Sequence, residues 1–226
     1  VRGGHLGGRS SPANGTEPRI GNRQVILDTF TDPRATLKRG GALDINVRLC
    51  RSLVLPVEAD DPRLVWLLKE FRLLVNKSIR VALREGIRSR ARLARAAYAD
   101  LSRNHQVYKQ YIPSAFEVAL GVLKAHRRRL RKGKRSSVPY MRRLMLKAEN
   151  QSYWLDRETG RLRIPIRGTE GFQVQLPLSK WHRAILSDPS WGLGSLILVP
   201  GKVVVVVRKE APPPYEPQAA LALATH

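Results

Sequence analysis

The sequence predicts an α+β fold in which a small β-barrel is interrupted by an inserted antiparallel helical bundle. Three observations carry that reading. Apolar residues alternate with period two near the start of the ordered chain and again beyond Met145. Between these stretches they recur at helical spacing. No strand-turn-helix unit repeats regularly, which argues against a doubly wound parallel sheet.

Residues 1–41, rich in Gly, Pro, Ser and Arg, read as a disordered basic tail with one short strand possible at Gln24 to Phe30. The β-body is assigned residues 42–59 and 147–210, and the helical insert 60–146. Leu43, Ile45, Val47 and Leu49 alternate with Asp44, Asn46, Arg48 and Cys50, the period of a strand with one buried face. Asp61 is placed to cap a helix with Pro62 at its first position. Its stripe runs through Leu64, Leu67, Leu68, Phe71, Leu74, Val75, Ile79, Ala82 and Leu83, and Gly86 stops it. A second helix is expected from Ser89 to Leu101, with Leu93, Ala96, Ala97 and Leu101 inward. A third is expected to start at Ser114, whose side chain would cap it while Glu117 completes a capping box.

The stretch Lys134 to Pro139 breaks regular structure, and strands follow. Tyr153–Leu155 and Arg161–Ile166 form a hairpin about Asp156–Gly160, with Leu162, Ile164 and Ile166 on one face and Arg161, Arg163 and Arg167 on the other. Phe172, Val174 and Leu176 mark another strand, and Trp181–Leu186 a short helical turn. Ser195–Val199 and Lys202–Arg208 pair about Pro200-Gly201. Six or so short strands suffice for a small barrel.

Charge narrows the function. Forty-one Lys and Arg against 18 Asp and Glu give a formal net charge of +23, far beyond what solubility requires. Seven of the cations lie between Arg127 and Arg135 with no acid among them. Such a run repels itself unless a polyanion or counterions neutralise it. Nucleic acid is the favoured partner, because phosphate contacts release condensed counterions. A membrane surface fits less well, since the basic residues are spread over several elements rather than one amphipathic anchor. One cysteine, Cys50, excludes an intrachain disulfide or a multi-Cys zinc site within this sequence. With no apolar run of membrane-spanning length and no signal-peptide core, a cytoplasmic location is expected.

Catalytic signatures are missing from the sequence. It contains no phosphate-cradling Gly loop, nucleophile elbow or two-His metal helix, and Glu149, Asp156, Glu158, Glu170 and Asp188 read as capping or solvated turn residues. No catalytic residue, metal ligand, cofactor or small-molecule substrate is assigned. Among the aromatics near cations are Tyr108, Tyr111, Tyr140, Tyr153, Trp154 and Trp181. Trp66, Phe71, Phe116 and Trp154 are expected in the core, and Tyr140 exposed for base stacking. The expected nucleic-acid contacts are Arg72, Lys77, Arg80 and Arg84 on the first helix; Arg127, Arg128, Arg131, Lys132, Lys134 and Arg135 in the basic run; and Tyr140, Arg142, Arg143, Arg161 and Arg163 beyond it.

The order of a strand, a long helix containing Leu74-Val75-Asn76-Lys77-Ser78-Ile79, a basic helix, a Pro-containing break and a β-region closing with Lys202 to Glu210 resembles the front half of TnpB-type (OrfB family) transposon-encoded RNA-guided nucleases. The resemblance runs from about Leu43 to the last residue. It implies that the β-body is a wedge domain, an oligonucleotide-binding-like barrel, and that the insert is a recognition domain. Together these would hold guide RNA and its duplex with target DNA, with sequence selected by base pairing. Residues 211–226 then resemble a linker and the start of a truncated RuvC-like domain. Ala224 stands where the family has its first catalytic Asp, so no nuclease activity is expected of this sequence alone. Two other readings stay open, a ribosomal-type RNA-binding protein and a transposase remnant without function. The insert is also expected to be removable without unfolding the barrel.

Overall fold

A computed structural model describes residues 47–58 and 61–211. The basic tail, the strand at 24–30, Leu43 and Ile45, and the segment 212–226 with Ala224 lie outside the described residues.

The chain begins with β1 (Val47–Pro56), continues into α1 (Pro62–Arg84), α2 (Arg90–Asn104) and α3 (Tyr111–Arg131), and returns to strands. These are β2 (Leu146–Ala148), β3 (Trp154–Leu155), β4 (Arg161–Arg167) and β5 (Glu170–Gln175); then come α4 (Lys180–Ser187), β6 (Gly192–Val199) and β7 (Lys202–Ala211). The strands make two antiparallel sheets, one ordered β1-β7-β6-β2 and the other β3-β4-β5. The α+β class is as expected, but neither sheet closes on itself, and the barrel is replaced by two open sheets.

Local signals account for most boundaries. The Asp61 carboxylate accepts from the Arg63 amide at 2.8 Å and Pro62 occupies the first turn, so α1 starts where cap and proline coincide. A cap is worth about 1 kcal/mol, whereas each fully buried Leu or Phe contributes about 1.5–3 kcal/mol. Packing of Leu64, Leu67, Leu68, Phe71, Leu74, Val75 and Ile79 therefore supplies the stability of α1, and the cap only sets its register. Ser89 caps α2, which buries Leu93, Ala97 and Leu101. Ala96 points to solvent instead of inward.

Two boundaries differ from expectation. Helix α3 starts at Tyr111, three residues before Ser114, with no side-chain cap at Gln110. Ser114 lies inside the helix, buried, and its hydroxyl has no partner. Glu117 reaches across to Lys147 on β2 at 2.7 Å rather than closing a capping box. Tyr111 and Ile112 are apolar anchors in the core, and burying them outweighs the roughly 1 kcal/mol that a Ser114 cap offers. Strand β1 likewise runs on to Pro56, and its buried face is Leu53 and Leu55, continued by Val57 just beyond it, while Leu49 is exposed. The reason is register. Arg48, Leu49 and Cys50 pair with Glu210, Lys209 and Arg208 at the charged end of β7, whereas Leu53 and Leu55 pair with Val205 and Val203 over the core.

Strands β6 and β7 form a hairpin about Pro200-Gly201, where Gly201 has φ +82°, a conformation that proline followed by glycine suits. A bulge interrupts β6 between Leu193 and Leu196. There a Cβ on Gly194 would sit 3.0 Å from the Val206 carbonyl, and the buried Tyr153 hydroxyl donates to the Gly194 carbonyl at 2.9 Å. Pro165 sits in the middle of β4 beside a register shift, the position where a strand tolerates a missing N–H.

Helices and sheets share one buried apolar cluster that includes Leu53, Leu64, Phe71, Phe116, Leu146, Ile164 and Leu196. Polar contacts stitch the same boundary. The Tyr111 hydroxyl donates to the Pro165 carbonyl at 2.7 Å, and the Tyr108 amide to the Ile166 carbonyl at 2.8 Å. The insert thus packs as part of the β-body's core. No helix among the described residues is long and apolar enough to cross a membrane.

Candidate nucleic-acid interface

Most of the cations proposed from sequence fall into three groups, with Lys77, Arg80 and Arg84 of α1 standing apart. The largest is built by the end of α3. Its apolar face ends at Leu123, after which every residue from Arg128 to Arg135 is exposed and Arg127 is half-buried. Arg128, Arg129 and Arg131 occupy the last turn, where cations complement the helix dipole. That structural role accounts for one or two charges, because the dipole's influence fades within a turn. Arg127, Arg128, Arg129, Arg131, Lys132, Lys134 and Arg135 make no ion pair among the described residues. Arg128, Arg129, Lys132 and Lys134 converge with Lys124 on one open groove floored by Gly121 and Ala125. The chain beyond is tied back by His126, whose Nδ1 lies 3.0 Å from the Ser136 hydroxyl.

The second group joins α1 to the segment before β2. Tyr140 is 54% exposed, as expected, and Arg142 wraps it, with Nε donating to the phenol oxygen at 2.7 Å and the guanidinium 5.0 Å from the ring centre. Arg143 is exposed beside them. Asn76 sets this arm in place. Its amide donates to the Met141 carbonyl at 3.1 Å and accepts from the Met141 N–H at 2.7 Å, while Arg72 donates to the Arg142 carbonyl at 3.4 Å. Sequence reasoning noticed Asn76 only as part of a family motif. Its positioning role depends on a contact 65 residues away, which periodicity cannot register.

The α1 cations do not act together. Arg80 is exposed and has no ion-pair partner among the described residues, and Arg84 pairs with Glu85 at 3.0 Å. Lys77 is taken inward. Its Nζ lies 2.9 Å from Nε2 of buried His105, whose Nδ1 lies 2.8 Å from a Glu70 carboxylate oxygen. A lysine ammonium can only donate, so Nε2 accepts from it, and the imidazole proton on Nδ1 is donated to Glu70. The Lys77 ammonium, expected at the surface, is thus engaged at the edge of the core through His105 and Glu70.

The third group lies on the outer face of β3-β4-β5. Arg161 and Arg163 are exposed there, opposite buried Leu162, Ile164 and Ile166. Trp154 joins them at 54% exposure, a correction to its expected place in the core. Leu155 takes the inward position of that two-residue strand, and alternation sends its neighbour outward. Of the other aromatics, Tyr111, Phe71 and Phe116 are fully buried, Trp66 is half-buried against the core, and Trp181 is half-exposed.

Four of the five acids singled out from the sequence are engaged one by one. Glu149 pairs with Lys147, Glu170 with Arg167, and Asp188 with Lys209 and the Ser190 hydroxyl and amide. The Thr159 side chain first, and then the Thr159 and Glu158 amides in the β3–β4 turn, donate to Asp156 and hold its carboxyl below the usual range. No three His, Cys, Asp or Glu side chains among the described residues are grouped to hold a metal ion.

Residues 67–165 match the model of a family described as the uncharacterized protein MJ0013 family, a span that runs from within α1 to Pro165 in β4. All three helices of the insert, the basic run and the Asn76-anchored arm fall partly or wholly within it. No curated protein matches the chain.

Proposed function

We propose that this protein binds RNA, and an RNA–DNA duplex formed on that RNA, through phosphate contacts centred on the end of α3, in the manner of the wedge and recognition domains of TnpB-type proteins. One observation carries the reading. Seven cations between Arg127 and Arg135 stand at the surface with no carboxylate partner among the described residues, on a chain of formal charge +23. Charges that served folding alone would be paired or dispersed. The Tyr140–Arg142–Arg143 arm and the Arg161–Arg163 face supply further cations next to exposed aromatic rings.

Binding by counterion release weakens linearly in log K against log salt, with a slope of about −0.9 per phosphate contact on a duplex and about −0.7 on a single strand. Replacing Arg127, Arg128, Arg131 and Lys134 together by Gln should weaken RNA binding to a similar degree across sequences and flatten that slope, by up to about 0.9 log unit per lost contact. A slope equal to that of the unaltered protein counts against the assignment. Sequencing the RNA that co-purifies decides the kind of RNA: transposon-end transcripts support the guide-binding reading, and enrichment of ribosomal RNA supports a ribosomal-type binder.

A further inference from the structure

The outer face of the small sheet has a property that a phosphate-binding surface does not require. Trp154, Arg163 and Gln173 stand in one row across the three strands, since Trp154 pairs with Arg163 and Arg163 with Gln173. Arg161 lies two residues along β4 on the same face, and the four side chains line one open pocket. Among the described residues no aromatic ring packs on Trp154 and no cation lies over its face, whereas Trp66 and Trp191 are each covered by cations. Neither arginine makes an ion pair among the described residues. Gly171 leaves room for Arg163: a Cβ there would sit 3.4 Å from the Arg163 Nε and 3.3 Å from the Ile164 carbonyl.

We infer that this face is a stacking platform for an unpaired base of single-stranded RNA. The exposed indole would take the base face, Arg161 and Arg163 would take the flanking phosphates, and the Gln173 amide, both donor and acceptor, would reach the base edge. Charge complementarity selects this occupant, because two unpaired guanidinium groups beside the ring disfavour an apolar or a basic protein surface. The inference rests on the RNA-binding reading and adds a ligand state to it. A paired duplex keeps its bases stacked internally and offers an indole little to hold.

The test uses the full chain, a labelled oligouridine, an abasic oligomer with the same number of phosphates, and a blunt RNA duplex, each titrated by fluorescence anisotropy. Trp154→Ala should weaken oligouridine binding by about five- to a hundredfold, the range for loss of one stacked base. Trp154→Phe, which keeps an aromatic face, should retain most of the affinity, and neither change should alter duplex binding. The abasic oligomer should bind the unaltered protein about as weakly as oligouridine binds Trp154→Ala. Because Trp154 is on the surface, both variants are expected to melt like the parent, which circular dichroism checks. The inference is overturned if Trp154→Ala holds oligouridine as tightly as the parent, or if the abasic oligomer binds equally well. In either case the α3 glutamine variant still reports on the wider reading through the duplex. Loss of a dimer on Trp154→Ala with oligouridine binding unchanged would assign the face to a second copy of the chain and overturn the inference. If the unaltered protein binds none of the three RNAs, both readings fall.

Discussion

Single side chains in this protein are set by partners far along the chain. Tyr111 and Tyr153 are the clearest cases, each buried with its hydroxyl donating to a backbone carbonyl of a strand. Burial disfavours the phenolate, which pushes Tyr153 up to about 12 and raises Tyr111 further in the same direction. The unfolded chain releases these protons near pH 10, so the folded state holds more protons than the unfolded state above that pH. The stabilisation is fully present below about pH 10 and is lost as pH rises through the folded values. Two of the six tyrosines should therefore stay protonated in a spectrophotometric titration at 295 nm until the fold itself is lost. Replacing both by Phe should remove that late phase. A titration in which all the tyrosines ionise together near pH 10, with circular dichroism still native, would contradict the burial described. Lys77 and Asn76 follow the same logic: adjacent in sequence, one is drawn toward His105 and the other anchors Met141.

At the scale of elements, α3 shows a local signal overridden by packing. Ser114 and Glu117 have the spacing of a capping box, yet the helix begins at Tyr111 and Glu117 bridges to Lys147. These two arrangements predict opposite results for one substitution. If Ser114 capped the helix, Ser114→Ala would cost about 0.5–2 kcal/mol. With its hydroxyl buried and unpartnered, the same change should be neutral or stabilising by up to about 1–3 kcal/mol, because it removes a polar group that is desolvated without a hydrogen bond. Urea denaturation measures the sign directly. Helix α1 is the counterexample, where the Asp61 cap, Pro62 and the apolar stripe as far as Ala82 agree and the boundary falls as read, although Leu83, expected in the stripe, is exposed in the last turn.

At the scale of the whole molecule, the helical insert and the sheets share one apolar core. Removing residues 60–146 would take the helices out of the apolar cluster they share with Leu53, Leu55, Ile164 and Ile166, cut the Tyr111 and Tyr108 bonds to β4, and delete Leu146 from β2. At about 1.5–3 kcal/mol for each large apolar side chain left exposed, baring as few as four side chains of that cluster would amount to about 6–12 kcal/mol. That is comparable to the whole stability of a typical domain, about 5–15 kcal/mol. A chain with a Gly/Ser linker in place of 60–146 is therefore expected to lose its cooperative thermal transition and its strand circular dichroism, the reverse of what the sequence suggested. A cooperative melt in that chain would show that the sheets hold their own core.

Much of this architecture was legible in the chain itself. The three-helix block, the Pro200-Gly201 hairpin, the β3–β4 hairpin, the alternation of Arg161 to Arg167 and the exposed basic run after Leu123 are all encoded by neighbours a few residues apart. Period, caps and turn chemistry act over that range, and charge needs no fold to be counted. What the sequence could not decide was whatever depended on the pairing of distant segments. The register of β1 on β7 decided that Leu53, not Leu49, is buried. The approach of α1 to Met141 and His105 decided which of its cations remain available. The pairing of β3 on β4, which sets Leu155 beside buried Leu162, decided that Trp154 faces water. Burial is a property of the surfaces an element meets, and those surfaces are supplied by parts of the chain that local pattern does not identify.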